Sequence, residues 1–253
     1  MSLRMLACAA ALFISGCAHH QQRGFTAGDH YVNMGSSFAA GAGTGDAPSG
    51  SPPRCYQSTA SYAHLIAARA HLSLTDVSCG GATSAHLLSA WNELPAQIDA
   101  VTADTRLVTI TIGGNDIAYA GNLVAASCEQ GETIRVTSFA VPCPSSFPIA
   151  DEAYATLERN LRQASLQIAA RAPQARVVFI QYVTLVPQAQ CDQSRFTEEE
   201  AAALRVVGSR LAAITARAAQ ETGAEVLAMD AYEKVRNSLF IIQPESQHIT
   251  VSQ

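Results

Sequence analysis

Three short blocks, in one order, carry residues able to do chemistry. They are Gly35-Ser36-Ser37-Phe38, Gly80-Gly81-Ala82-Thr83 and Gly113-Gly114-Asn115-Asp116. Each sits where an apolar run meets a Gly-rich turn. Together they offer a hydroxyl nucleophile (Ser37), a backbone N–H free of side-chain cover (Gly81) and a side-chain amide donor (Asn115). Those are the parts needed to attack an ester carbonyl and hold the oxyanion that forms. Taken singly, each block has a plainer use. Ser36 and Ser37 suit a helix cap, Gly81 suits a turn and Asn115 suits an Asx-turn. Only the Gly-Gly-Asn-Asp run points beyond a turn by itself.

The blocks need elements to bring them together. His30 to Met34 reads as a short strand ending at Gly35. Residues 60–70 have helical spacing and lead to a strand near 72–77. Residues 85–91 and 94–101 look helical. Leu107 to Ile112 is the clearest buried strand, rich in β-branched residues. Asp151 to Ala170 is an amphipathic helix, followed by a strand over 176–183. Thr197-Glu-Glu-Glu opens a long helix running to about Glu221, and 225–229 is a last strand. Such alternation predicts an α/β fold with a parallel sheet between helices. Ligands in these folds bind at the carboxyl ends of strands, where all three blocks fall. Residues 118–147 break the alternation and read as a helix and a long loop over the site.

The chain has 253 residues, 48% hydrophobic and 15% charged, enough for one large core. A formal net charge of -5 with no basic run argues against a nucleic-acid partner. Residues 1–17 read as a targeting segment: Arg4, an apolar run from Leu6 to Ile14, then Ile14-Ser15-Gly16-Cys17. The last four resemble a bacterial lipobox, in which Cys17 is lipidated and anchors an exported cell-envelope lipoprotein. An ordinary secretory signal is the alternative. Residues 18–29 form a polar tether, and 30–253 the folded domain. Outside the cytoplasm, disulfides are permitted. Cys55 and Cys79 flank a helix-then-strand unit and could close it. Cys128 and Cys143 bracket a Gly- and Pro-containing loop and could staple it. Cys191 then has no partner. Metal binding is the other use of cysteines, but no CxxC or HxxxH spacing supports it.

Pooled, the blocks resemble the SGNH (GDSL-type) esterase/lipase family, in its secreted, disulfide-containing actinobacterial lipase-like branch. Residues 31–41, 78–83 and 112–116 carry the likeness. It implies a flavodoxin-like three-layer α/β/α sandwich. It makes Ser37 the nucleophile, with the Ser37 N–H, Gly81 N–H and Asn115 side chain as the oxyanion hole. It makes Cys55–Cys79 and Cys128–Cys143 the first two bridges of that branch. It implies hydrolysis of carboxylic esters of a lipid or an acetylated carbohydrate, by a monomer needing no metal or organic cofactor.

The sequence departs from that family twice. Ser36 stands where the family usually has Asp, which bears on loop geometry rather than on the reaction. The family's late Asp-x-x-His-Pro-Asn block is missing from the tail beyond about residue 235. His248 is the only histidine after His86, and Glu245-Ser246-Gln247-His248 keeps an acid-x-x-His spacing. His248 is therefore the candidate base. No late cysteine exists to pair with Cys191. A truncation or shifted reading frame near residue 235 would account for both absences. The alternative to a working esterase is an impaired member that only binds acyl or glycan ligands.

Overall fold

The computed structural model describes residues 24–129, 131–136, 139–188 and 195–229. Cys17, Cys191, His248, the targeting segment and the tail from about 235 lie outside them.

The elements run β1 (His30–Gly35), α1 (Ser37–Ala40), α2 (Tyr62–Ala70), β2 (Ser73–Asp76), α3 (Ala85–Leu88), β3 (Thr105–Thr111), α4 (Tyr119–Ala126), β4 (Thr133–Val136), β5 (Phe139–Pro142), α5 (Asp151–Arg171), β6 (Arg176–Ile180), α6 (Glu198–Thr222) and β7 (Glu225–Leu227). Five strands form one parallel sheet in the order β2-β1-β3-β6-β7. The chain steps one way from β1 to β2 and the other way from β3 to β7, so a crevice opens at the carboxyl ends near β1.

Alternation along the inner strands assigns the two faces. Val32, Met34, Val108 and Ile110 point into a core shared with Leu157, Leu161 and Ile168 of α5 and Leu211 and Ile214 of α6. Tyr31 and Leu107 point the other way, against Ala63 and Ala67 of α2. Helices thus cover both faces, as the α/β expectation required. β3 is almost wholly buried, which suits its β-branched run. The α6 start is a capping box: Thr197 Oγ1 accepts from the Glu200 N–H while Glu200 accepts from the Thr197 N–H.

Two stretches differ from the sequence expectation. Residues 85–101 were expected to hold two helices, but α3 ends at Leu88 and only a 3-10 turn, Gln97–Ala100, follows. Trp91 and Leu94 pair across a tight turn with Asn92 in the left-handed region. Pro95 then denies Leu94 the helical conformation. Residues 118–147 form α4 and an antiparallel hairpin, β4 with β5, rather than a helix and plain loop. The Cys128–Cys143 bridge staples this region and Cys55–Cys79 closes the helix-strand unit.

Under the first block the α2 face is polar. Thr109 Oγ1 donates to Asn33 Oδ1 (2.9 Å). The Tyr31 hydroxyl therefore donates to Thr109 Oγ1 (2.7 Å). Asn33 Nδ2 donates to Asp76 Oδ1 (2.9 Å), joining β1 to β2. Asp76 Oδ1 also accepts from the Ser78 N–H and hydroxyl, whereas Oδ2 has no hydrogen-bond partner among the described residues and faces His64 Nδ1 at 3.8 Å. Burial pushes the Asp76 carboxyl above its ordinary value, against the Ser78 and Asn33 hydrogen bonds that pull it down.

Two outcomes are expected. Gln97→Ala strands the buried Gly35 N–H, which donates to Gln97 Oε1 at 2.7 Å; urea unfolding should show a loss of about 1–3 kcal/mol. A raised native pKa means Asp76 favours the fold below the carboxylate range, and that contribution is lost as pH rises through the native value. Stability of Asp76→Asn relative to wild type, from urea midpoints, should therefore shift in the variant's favour between pH 4 and pH 7. A flat difference would contradict the assignment.

Candidate active site

The first block turns on Gly35. It ends β1 with a positive φ of 135°, and a Cβ there would overlap the Thr111 carbonyl. The Ser36 N–H donates to Thr111 O (2.9 Å), so the turn is bonded to the end of β3. Ser37 is the first residue of α1, whose C-cap is Gly41. A first-turn N–H has no acceptor within its helix, and the Ser37 N–H has none among the described residues. Ser37 is half-buried, and its hydroxyl has no hydrogen-bond partner among the described residues.

The second block leaves β2 through Cys79, whose N–H donates to Gly35 O (3.0 Å). The N–H of Gly80 donates to Cys55 O (2.8 Å) and that of Ala82 to Cys79 O (3.0 Å). The Gly81 N–H between them has no acceptor among the described residues. Gly81 is exposed and adopts φ 83°.

The third block leaves β3 and coils tightly, with the Asp116 N–H on Gly113 O (3.1 Å) and the Tyr119 N–H on Gly114 O (2.8 Å). Asn115 is exposed and donates one amide hydrogen to Ala82 O (2.8 Å), and the other has no acceptor among the described residues. Asp116 accepts from the Ser84 N–H through both oxygens and from the Ser84 hydroxyl. These contacts sew the third block to the second. Burial raises the Asp116 carboxyl, and the Ser84 bonds oppose that. Ser37, Gly81 and Asn115 thus stand at the ends of three adjacent strands, two of them bonded through Gly35 and two through Ala82 and Ser84.

Residues that the sequence did not single out complete the frame. The Tyr182 hydroxyl lies 2.8 Å from Ser36 Oγ and accepts from the Gly114 N–H (3.2 Å). Gln97 bonds both the N–H and the carbonyl of Gly35. Trp91 borders the space that a Cβ on Gly81 would enter and is held between the His86 ring, stacked at 4.3 Å, and the Arg54 guanidinium, 4.0 Å above it. A lone Tyr or Gln carries no local pattern, so spacing could not have found them.

The described histidines are engaged elsewhere. His30 meets Thr75, Thr102 and Thr105 at the amino ends of the strands. His64 bonds Ser61, and His71 caps α2. His86 Nδ1 accepts from the Thr83 N–H (2.9 Å), which places the neutral ring's proton on Nε2. Its pKa is lowered by burial and by Arg54, against the pull of Asp116. Among the described residues, no group of three or more His, Cys, Asp or Glu is arranged to hold a metal ion.

A model of the GDSL-like Lipase/Acylhydrolase family matches residues 34–241. Lipase 2 of Streptomyces coelicolor is 37% identical over 204 residues, covering 77% of this chain and 67% of that protein. The extracellular lipase of Streptomyces rimosus is 28% identical and superposes with a TM-score of 0.59, covering 78% of each chain. Phospholipase A1 from Streptomyces albidoflavus shares the fold at a TM-score of 0.63 and 23% identity, covering 89% of this chain and 92% of that one.

Proposed function

We propose, for a chain that belongs to the GDSL-like lipase/acylhydrolase family and is a carboxylic ester hydrolase, that Ser37 is the nucleophile of an exported esterase or lipase. The Ser37 hydroxyl attacks the ester carbonyl and gives its proton to the His248 imidazole. The tetrahedral oxyanion accepts from the Ser37 N–H, the Gly81 N–H and the Asn115 amide. The C–O bond of the ester breaks, the alcohol leaves with the proton from His248, and an acyl-enzyme remains on Ser37 Oγ. Water, deprotonated by the same imidazole, attacks the acyl carbon; the acyl–Oγ bond breaks, Ser37 Oγ takes the proton back from the imidazole, and the acid is released.

One observation carries this reading. Among the described residues, the Gly81 N–H has no acceptor between two engaged neighbours, and the Asn115 amide is tied to the next carbonyl by only one of its hydrogens. Donors held in place before charge develops are what an oxyanion hole requires. A cavity of about 360 Å³ beside the Cys55–Cys79 bridge is lined by Trp91, Leu94 and Pro95 together with Asp76, His86 and Gln97. The two bridges, and the extracellular lipase among the relatives, support export. We assign Cys17 as the lipid-anchored residue of an envelope lipoprotein.

Turnover of p-nitrophenyl acetate, butyrate and octanoate tests the assignment. Ser37→Ala should fall to background. Asn115→Ala should lose about 10²–10³ in kcat with a smaller change in KM. His248→Ala should approach Ser37→Ala, because members of such a pair act as a unit. Wild-type rates that survive in His248→Ala would remove His248 as base. No wild-type turnover of any ester would favour a protein that only binds acyl or glycan ligands.

A further inference from the structure

The geometry points to Tyr182 as a positioning residue that sets the nucleophile against the Asn115 donor. The inference rests on Ser37 being the nucleophile.

Tyr182 follows β6, the strand beside β3, so its ring reaches across the end of β3 toward the first block. Three contacts fix it there. Its hydroxyl is 2.8 Å from Ser36 Oγ, the residue before Ser37. Its ring meets Phe38, the residue after Ser37, edge-on at 4.6 Å and 61°. The Gly114 N–H, one residue before Asn115, donates to its oxygen at 3.2 Å. One side chain therefore touches both neighbours of the nucleophile and the neighbour of the amide donor, and bonds neither functional group.

The Tyr182 phenol oxygen links the first and third blocks by hydrogen bonds. Burial pushes the Tyr182 phenol up to about 12, so it keeps its proton in the neutral range. Its oxygen already accepts from Gly114. The phenol and the Ser36 hydroxyl share one hydrogen bond in which either oxygen can be the donor. Ser36 is 1% exposed, and Tyr182 is its only side-chain partner among the described residues. The Ser36 hydroxyl is thus held from one direction alone.

Sterics show how close the fit is. A Cβ on Gly114 would lie 2.9 Å from Tyr182 Cζ and Oη, so glycine is required for the phenol to reach both blocks. α1 is only four residues long, too short to fix Ser37 by its own hydrogen bonds. The direction of its first turn must come from outside contacts. Tyr182 and the Ser36–Thr111 bond are those contacts on the β3 side.

The test uses the full-length protein and a p-nitrophenyl alkylphosphonate, which labels an activated serine and releases one p-nitrophenol per site. Released phenol counts active sites, and its rate reports the reactivity of Ser37 alone. Tyr182→Phe keeps the ring against Phe38 and removes the hydroxyl. It should label to full stoichiometry at a rate about tenfold lower. kcat per labelled site on p-nitrophenyl butyrate should fall by about the same factor, with KM within about twofold. Ser36→Ala, which cuts the same link from the other end, should match it. The double variant should be no slower than either single one.

A tyrosine that only supports the fold would reduce the number of labelled sites and leave the rate per site alone. That result, or losses that multiply in the double variant, overturns the inference. Should Tyr182→Phe fail to fold, Ser36→Ala decides: a wild-type labelling rate there overturns it. If Ser37 of the wild type takes no label by peptide mass, the nucleophile assignment fails and this inference with it. If the wild type labels and Tyr182→Phe labels equally fast, only the role of Tyr182 fails.

Discussion

The site depends on how closely the ends of β1 and β3 approach one another at Gly35. That residue closes β1, and the space where its side chain would stand is filled by the Thr111 carbonyl. The same carbonyl accepts the Ser36 N–H, so the approach is both a packing limit and a hydrogen bond. Gly35 O accepts from Cys79 and from Gln97, while the Gly35 N–H donates to Gln97. Three strand ends and one loop therefore meet on a single peptide unit. Any residue larger than glycine would push Thr111 away, and with it the coil that carries Gly114 and Asn115.

Two fastening systems hold that meeting point, one below it and one above. Below, Tyr31, Thr109, Asn33, Asp76 and Ser78 form a polar chain across β3, β1 and β2. Each bond adds only about 1 kcal/mol net, but a broken one leaves a buried group unsatisfied. Such a network fixes which strands neighbour each other and in what register, more than it raises total stability. Asn33 also donates to Ala39 O (3.2 Å), which ties α1 to the network. Above, Asn115 to Ala82 and Asp116 to Ser84 join the second and third blocks, and Tyr182 joins the third to the first. The lower system is mostly buried, with Asp76 at its edge. The upper one borders solvent, where substrate must enter.

What was legible in the sequence follows from which of these features are local. Block residues announce themselves because glycines must stand next to them at strand ends, and that pattern lies within four residues. β3 and α6 were readable for the same reason: a β-branched run and a capping box are short-range signals. Tyr182 and Gln97 act on blocks far along the chain, 146 and 62 residues away, and nothing near them in sequence records it. The helices expected over 85–91 and 94–101 shortened because Pro95 and the Trp91–Leu94 turn outweigh helical spacing. The β4–β5 hairpin hid in a stretch without clear alternation. The pairings Cys55–Cys79 and Cys128–Cys143 were readable because each closes one unit of structure.

The oxyanion half of the proposed reaction is built wholly from the described strand ends, whereas its base is assigned to the tail. These halves contribute differently to the barrier. Fixed donors lower the energy of the tetrahedral state without reorganising when charge appears. A base makes the serine nucleophilic at neutral pH, and its share is lost entirely if it is displaced. The bonds described for the three blocks run between described residues. A change in the tail should then leave reaction with a phosphonate slower but still confined to Ser37, because the donors would still receive the phosphoryl oxygen. A change at Gly35 should abolish both, because it moves nucleophile and donors together.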